Sequence, residues 1–257
     1  MKVTNRLVVI ATLLWTLGGT SIGWAGDSIK LIDRCQSLNV GDRSSFILVR
    51  DLFSQGQDCL VVNSSDTTID LDGFALVGLG TGRGITASDA VHGVKVRNGT
   101  VKGFTIGVSL GGNGNLIENV HVENNTDTGL FLGAGSLANH IVAQGNFRFG
   151  VILSTACTIT DSIVHANGNS PTSVGLSAGP GSTVRGNTIW ANTGTGLFGS
   201  TSGTVIGNTV FNTFGVGISV ICPSNVQQNT ATTNSAGNLF FSEPGCLFVN
   251  NVTPEAD

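Results

Sequence analysis

The side chains able to move protons gather in one stretch of this chain: His121, Glu123, His140, Asp161 and His165. Glu123 and His165 share an offset, each standing four residues after a polar residue, Asn119 and Asp161. An imidazole near its ordinary pKa exchanges protons close to neutral pH, and a carboxylate beside the same bond supplies the complementary acid or base. Two strand spacings would hold such a pair about 10 Å apart, across a substrate bond. The segment from Ala166 to Val174, with Pro171 in it, adds a loop beside them. The alternative reading is that these are solvated side chains on polar strands.

Holding residues so far apart in sequence at such a distance requires a repeat, and from Val94 to Thr253 there is one. Asn or Asp falls at Asn98, Asn119, Asn139, Asp161, Asn187, Asn208, Asn229 and Asn250, in steps of 20 to 22 residues with one of 26. Gly107, Gly129, Gly150, Gly175, Gly196, Gly217 and Gly237 keep nearly the same period, and short apolar runs follow them. A unit of about 21 residues with β-branched strands, Asn/Gly turns and no helical pattern describes a solenoid whose coils stack as parallel sheets. Leucine-rich repeats share the length, but their regular leucines are absent. Equivalent residues then lie about 4.8 Å apart in successive coils, so like residues form ladders. Asn at a turn tolerates left-handed backbone and can bond its neighbours from coil to coil.

On this register the outward residues after each Gly are Ser109, Phe131, Ile152, Ser177, Phe198, Ser219 and Leu239. None is charged, and Phe131 and Phe198 are placed to contact a sugar ring. Charged pairs are expected one coil apart, Arg97 with Glu118 and Asp127 with Arg148. These are either surface ion pairs or, for Arg148, a substrate contact. Asp70 and Asp72 alternate with Ile69 and Leu71, which puts both carboxylates on one face of a strand.

Met1 to Ala25 reads as a secretory signal peptide, with Lys2 and Arg6, an apolar core from Leu7 to Leu17, and a small-x-small site at Gly23-Trp24-Ala25. Eleven apolar residues are too few to span a bilayer, which takes about 20, and no later segment qualifies. Losing Lys2 and Arg6 takes the 12 basic residues to 10 against 16 acidic ones, a net charge of −6. Without a basic stripe, nucleic acid is excluded as a partner. Export to the periplasm or the medium permits disulfides, and five cysteines leave one over. Cys35 with Cys59 would close an N-terminal segment, and Cys222 with Cys246 would join coils near the far end. Cys157 is then a buried thiol. No paired Cys or Cys/His spacing of the zinc kind occurs, so neither a metal nor another cofactor is expected. The expected organisation is a signal peptide (1–25), an N-terminal cap (26–62), a β-solenoid (63–253) and a short tail (254–257).

The Asn and Gly columns, with the segments TIDLDGFALVG (68–78) and VRNGTVKGFTIGV (96–108), resemble right-handed parallel β-helix proteins of the pectin-lyase-like superfamily, with their asparagine ladders. The resemblance covers roughly Ile29 to Thr253. It implies an all-β chain forming a single right-handed parallel β-helix, here of about eight coils. It leaves the activity open, since the superfamily includes lyases, hydrolases, epimerases and adhesins, and fold does not dictate function. Asn125-Thr126-Asp127 matches the first acidic motif of polygalacturonase-like hydrolases, but Arg148-Phe149 stands where a paired Asp is wanted and the Gly-His-Gly element is missing. The Asp-Pro-His-Glu motif of mannuronan epimerases and the Asp cluster of a pectate-lyase calcium site are also missing. A chain without tyrosine has no tyrosine base. These features point to an exported protein that binds polysaccharide. The alternatives are a polysaccharide lyase, hydrolase or epimerase, and a structural or cell-surface protein. The oligomeric state is left open.

Overall fold

A computed structural model describes residues 29–39, 41, 43–242 and 244–254. The expected signal peptide and all but the first residue of the tail lie outside this range. Among the described residues there is no α-helix, and none therefore that could cross a membrane. The chain is a solenoid in which each coil visits three faces in turn. A typical coil runs Leu116–Glu123, which bends at Asn119 from a first to a second face, then Thr128–Leu132 on the third, and begins again at Leu137–Asn139. Strands pair in parallel from coil to coil, in register. The third face is a ten-stranded sheet with one strand per coil, and the first two faces run on into one eighteen-stranded sheet around a bend.

Among the described residues ten coils therefore stand where about eight are expected. The additional strands come from 26–62, the segment expected as a cap: Lys30–Ile32, Gln36–Leu38, Ser45–Leu48, Leu52–Phe53 and Leu60–Val62 extend the same sheets. That segment lacks the Asn and Gly markers, yet it alternates inward residues as the later coils do. Ile32, Leu38, Phe46, Leu48, Leu52, Leu60 and Val62 are all buried.

Apolar ladders fill the interior. Val122, Ala143, Val164, Ile189, Val210 and Ala231 form one beneath the second face, and Val108, Leu130, Val151, Leu176, Leu197 and Ile218 form another beneath the third. All are essentially inaccessible to water.

Each corner is made by two consecutive residues with different tasks. The first adopts left-handed backbone and turns the chain, and the second points inward and bonds the coil above. Between the first and second faces the left-handed residues are Asn98, Asn119, His140, Asp161, Gly186, Gly207, Gln228 and Asn250, with φ from 50 to 65°. The inward ladder lies one residue later, at Ser162, Asn187, Asn208, Asn229 and Asn251, and each side-chain oxygen accepts the main-chain N–H of the preceding coil at 2.9 to 3.0 Å. The column expected from sequence thus merges two neighbours, and Asn139, a strand residue, belongs to neither. Asn125, Asn146, Asn167, Asn192 and Asn234 form a second ladder at the next corner. A third corner uses Asn115, Ser136, Ser182 and Ser224.

The glycines follow from the second ladder. Gly107, Gly129, Gly150 and Gly175 each lie against the amide of an Asn that a Cβ would meet at 2.7 to 2.8 Å. The column ends at Gly217, because Ile218 pairs with Leu239 and Asn238 takes the next position in place of Gly237. Disulfides join Cys35 to Cys59 and Cys222 to Cys246. Cys157 is free and buried in the third corner's column, and its Sγ donates to Gly133 O at 3.2 Å.

Candidate functional site

On the second face, Glu123, Gln144, His165, Trp190 and Phe211 occupy one outward column in register. The sequence places Glu123 and His165 two coils apart, and this is their relation in the fold; Gln144 stands between them. His121 is two residues before Glu123 on the same strand, and its Nδ1 lies 3.4 Å from Glu123 Oε1. Their neighbours in the proposed acid/base set are elsewhere. His140 and Asp161 occupy adjacent left-handed corner positions, and the His140 ring bonds Asn139 Oδ1 at 3.0 Å. Among the described residues, no hydrogen bond or ion pair ties either of them to Glu123 or His165.

His165 stacks on Trp190 with centroids 4.5 Å apart and planes 2° from parallel, and Trp190 stacks in turn on Phe211 at 6.1 Å. Trp190 and Phe211 are the side chains that sequence reasoning left out of this column, although 190 follows 165 by 25 residues, as Gly175 follows Gly150, and 211 follows 190 by 21. Burial holds the His165 pKa below its usual value against the opposing pull of Glu123, and its Nδ1 is buried without a partner. The imidazole is therefore favoured neutral, with Nε2 as the nitrogen left to meet a ligand.

The third face is different in kind. Thr86, Ser109, Phe131, Ile152, Ser177, Phe198, Ser219 and Phe240 run down it in register. The last member is Phe240, not Leu239, for the reason that displaces Gly237. Phe198 stands between Ser177 and Ser219, one coil to either side, so no bulky ladder neighbour covers its ring. Phe131 lies three coils away, about 14 Å by the strand spacing. No charged side chain interrupts the strip.

At the edge of this face Arg148 Nη1 lies 3.3 Å from Asp127 Oδ1, one coil apart as expected, and its guanidinium sits 5.0 Å from the centre of the Phe149 ring. The other expected pair does not form. Arg97 bonds Asp70 at 2.9 Å in the coil above, while Glu118 accepts from Asn139 Nδ2 at 3.3 Å. Asp70 also accepts from Asn98 and from Asp72 N. Asp72 itself has a left-handed φ of 47°, so a corner rather than a strand face separates the two carboxylates. Among the described residues, no group of three or more His, Cys, Asp or Glu side chains could hold a metal ion.

The family described as right handed beta helix region matches residues 83–253. No curated protein matches the sequence. Among solved structures, the A-module of the mannuronan C-5 epimerase AlgE4 from Azotobacter vinelandii superposes with a TM-score of 0.68 at 14% identity, over 84% of this chain and 73% of that one. The Dettilon tailspike protein gives 0.58 at 11% identity over 86% of this chain, which spans only 61% of the tailspike. A variant of the periplasmic alginate epimerase AlgG gives 0.55 at 11% identity, over 82% and 70%. At these identities the likeness is one of fold.

Proposed function

We propose, for a chain that belongs to the right-handed β-helix family, that it is an exported protein which holds extracellular or cell-envelope carbohydrate along its third face. The observation that carries this reading is Phe198 between Ser177 and Ser219, on a strip without charge. A pyranose ring can lay its C–H face on such a phenyl ring while hydroxyls on either side bond its own. Phe131, and Phe240 with 55% of its surface exposed, would extend the contact along a chain. The names of the structural neighbours add support, since two are epimerases of mannuronan or alginate. Two disulfides fit an oxidising compartment, as does the signal-peptide reading of residues 1–25.

A polysaccharide-active enzyme is the second reading, and the column Glu123, Gln144, His165 favours it. Those side chains lie on an outer face, with a neutral imidazole and a carboxylate two coils apart in the column and Gln144 between them. One experiment separates the readings. The purified protein is incubated with uronic-acid and neutral polysaccharides, following unsaturated uronide, new reducing ends and co-sedimentation with insoluble glycan. Sedimentation without turnover, weakened by Phe198→Ala, is the expected result. Turnover abolished by His165→Ala or Glu123→Ala would replace the binding reading with the enzyme, and silence in all three assays would leave a structural or cell-surface role.

A further inference from the structure

We infer that a cleft at the N-terminal end of the solenoid is a second carbohydrate site, built for a short neutral oligosaccharide. It has a volume of about 700 Å³, within the range of small-ligand sites. It lies on the first two coils, where Ser37 and Val61 head the third face's outward column, Val61 three coils before Phe131 and six before Phe198. The inference rests on this cleft alone and does not require the third-face strip to bind anything.

The lining has the composition that sugar recognition needs. Phe53 offers an aromatic ring with 67% of its surface exposed, and the exposed Arg34, Gln55, Gln57 and Asp58 line the same cleft. Among the described residues, the Gln55 and Gln57 amides and the Arg34 guanidinium make no hydrogen bond to protein. Two amides bring donors and acceptors together in one cleft, the pattern that matches neighbouring hydroxyls, each of which both donates and accepts. The single Arg and single Asp cancel in charge, and Asp58 Oδ1 is already occupied by the Arg83 N–H at 2.7 Å. This selects a neutral sugar over a uronate chain.

The walls are held before any ligand arrives. The Cys35–Cys59 disulfide joins the segments carrying Arg34 and Gln36 on one side and Gln57 and Asp58 on the other. Beside it, Gln36 N donates to Cys59 O at 2.7 Å. Buried Ser54 accepts the Gln57 N–H at 3.2 Å and closes the turn. Gly82 of the next coil packs so closely that a Cβ there would lie 2.4 Å from the Gln57 carbonyl carbon. A fixed backbone with free amide side chains lowers the ordering cost of binding to the side chains alone.

The test titrates the purified protein with cellotriose, maltotriose, mannotriose and triacetylchitotriose, and with trigalacturonate as the charged comparison, by calorimetry and saturation-transfer NMR. At least one neutral trisaccharide should bind. Phe53→Ala and Gln57→Ala should each weaken it by about tenfold or more, with the melting temperature unchanged, and Phe198→Ala should leave it as it was. Absence of binding by every neutral trisaccharide overturns the inference. So does binding that survives Phe53→Ala and Gln57→Ala, or a preference for trigalacturonate. Co-sedimentation with insoluble glycan, lost in Phe198→Ala and kept in Phe53→Ala, reports on the third face independently, so either site can fail without the other.

Discussion

Gly129 lies against Asn146: a Cβ on the glycine would come within 2.7 Å of the Asn146 side-chain nitrogen and 2.6 Å of the Gly150 carbonyl oxygen. Both obstacles are fixed parts of the fold. The Asn146 amide donates to Val122 O at 3.0 Å and to Asn167 Oδ1 at 2.9 Å, and its oxygen accepts from Asn125. The shared period of glycine and asparagine is thus a single steric constraint. Gly129→Ala should cost about 1 to 3 kcal/mol through overpacking, read as a fall in the urea midpoint. An unchanged midpoint would show that the ladder can shift aside.

Removing the asparagine itself should cost more. Asn146→Ala leaves a buried carbonyl at Val122 and a buried amide at Asn125 without their partners, and each such group costs about 1 to 3 kcal/mol. Asn139→Ala, at a half-exposed strand position outside the ladders, should change stability by no more than about 0.5 kcal/mol. Equal effects of the two substitutions would contradict the ladder assignment made here.

Arg148 and Asp127 form a partly exposed pair, with 57% and 29% of their side-chain surfaces accessible. Arg148→Ala should therefore lower stability by at most about 1 kcal/mol, the range of surface ion pairs. If glycan co-sedimentation collapses while melting stays put, Arg148 is a binding residue and its pairing with Asp127 is secondary.

His165 should make stability depend on pH in one direction. Its folded-state pKa is lowered by burial, so below the unfolded value near 6.5 the unfolded chain binds the proton more readily. Its contribution is complete above about pH 6.5 and fades as the pH falls through the depressed folded value. Subtracting the melting curve of His165→Gln from that of the parent between pH 7.5 and 5 should expose this slope. A difference that grows in the parent's favour on acidification would reverse the sign and refute the assignment.

Cys157 should resist thiol reagents until the solenoid unfolds, because burial raises its pKa and the thiolate is the reactive form. Labelling with and without denaturant measures this. Recovery of Cys157 in a disulfide-linked peptide after non-reducing digestion would contradict the pairing of Cys35 with Cys59 and of Cys222 with Cys246.

Much of this was legible in the residues alone. A 21-residue period in Asn and Gly leaves few folds other than a parallel solenoid, because only stacking turns sequence period into spatial neighbourhood. Even the second ladder was visible in principle, since Asn125, Asn146, Asn167 and Asn192 follow the same period with a single step of 25. What the sequence could not do was separate positions one residue apart. Asn119 and Asn187 look alike, yet one is a left-handed corner and the other an inward ladder residue. A shift of one residue on a strand exchanges inside for outside, which is how Leu239 stood in for Phe240. Partners across coils were equally hidden. Arg97 has Asp70 on one side and Glu118 on the other in register, and only side-chain reach within the folded stack gave it to Asp70. The aromatic stack of His165, Trp190 and Phe211 and the cleft around Phe53 belong to the same class. Each joins residues 21 or more apart in sequence or collects them from two successive coils, and their distances exist only once the coils are stacked.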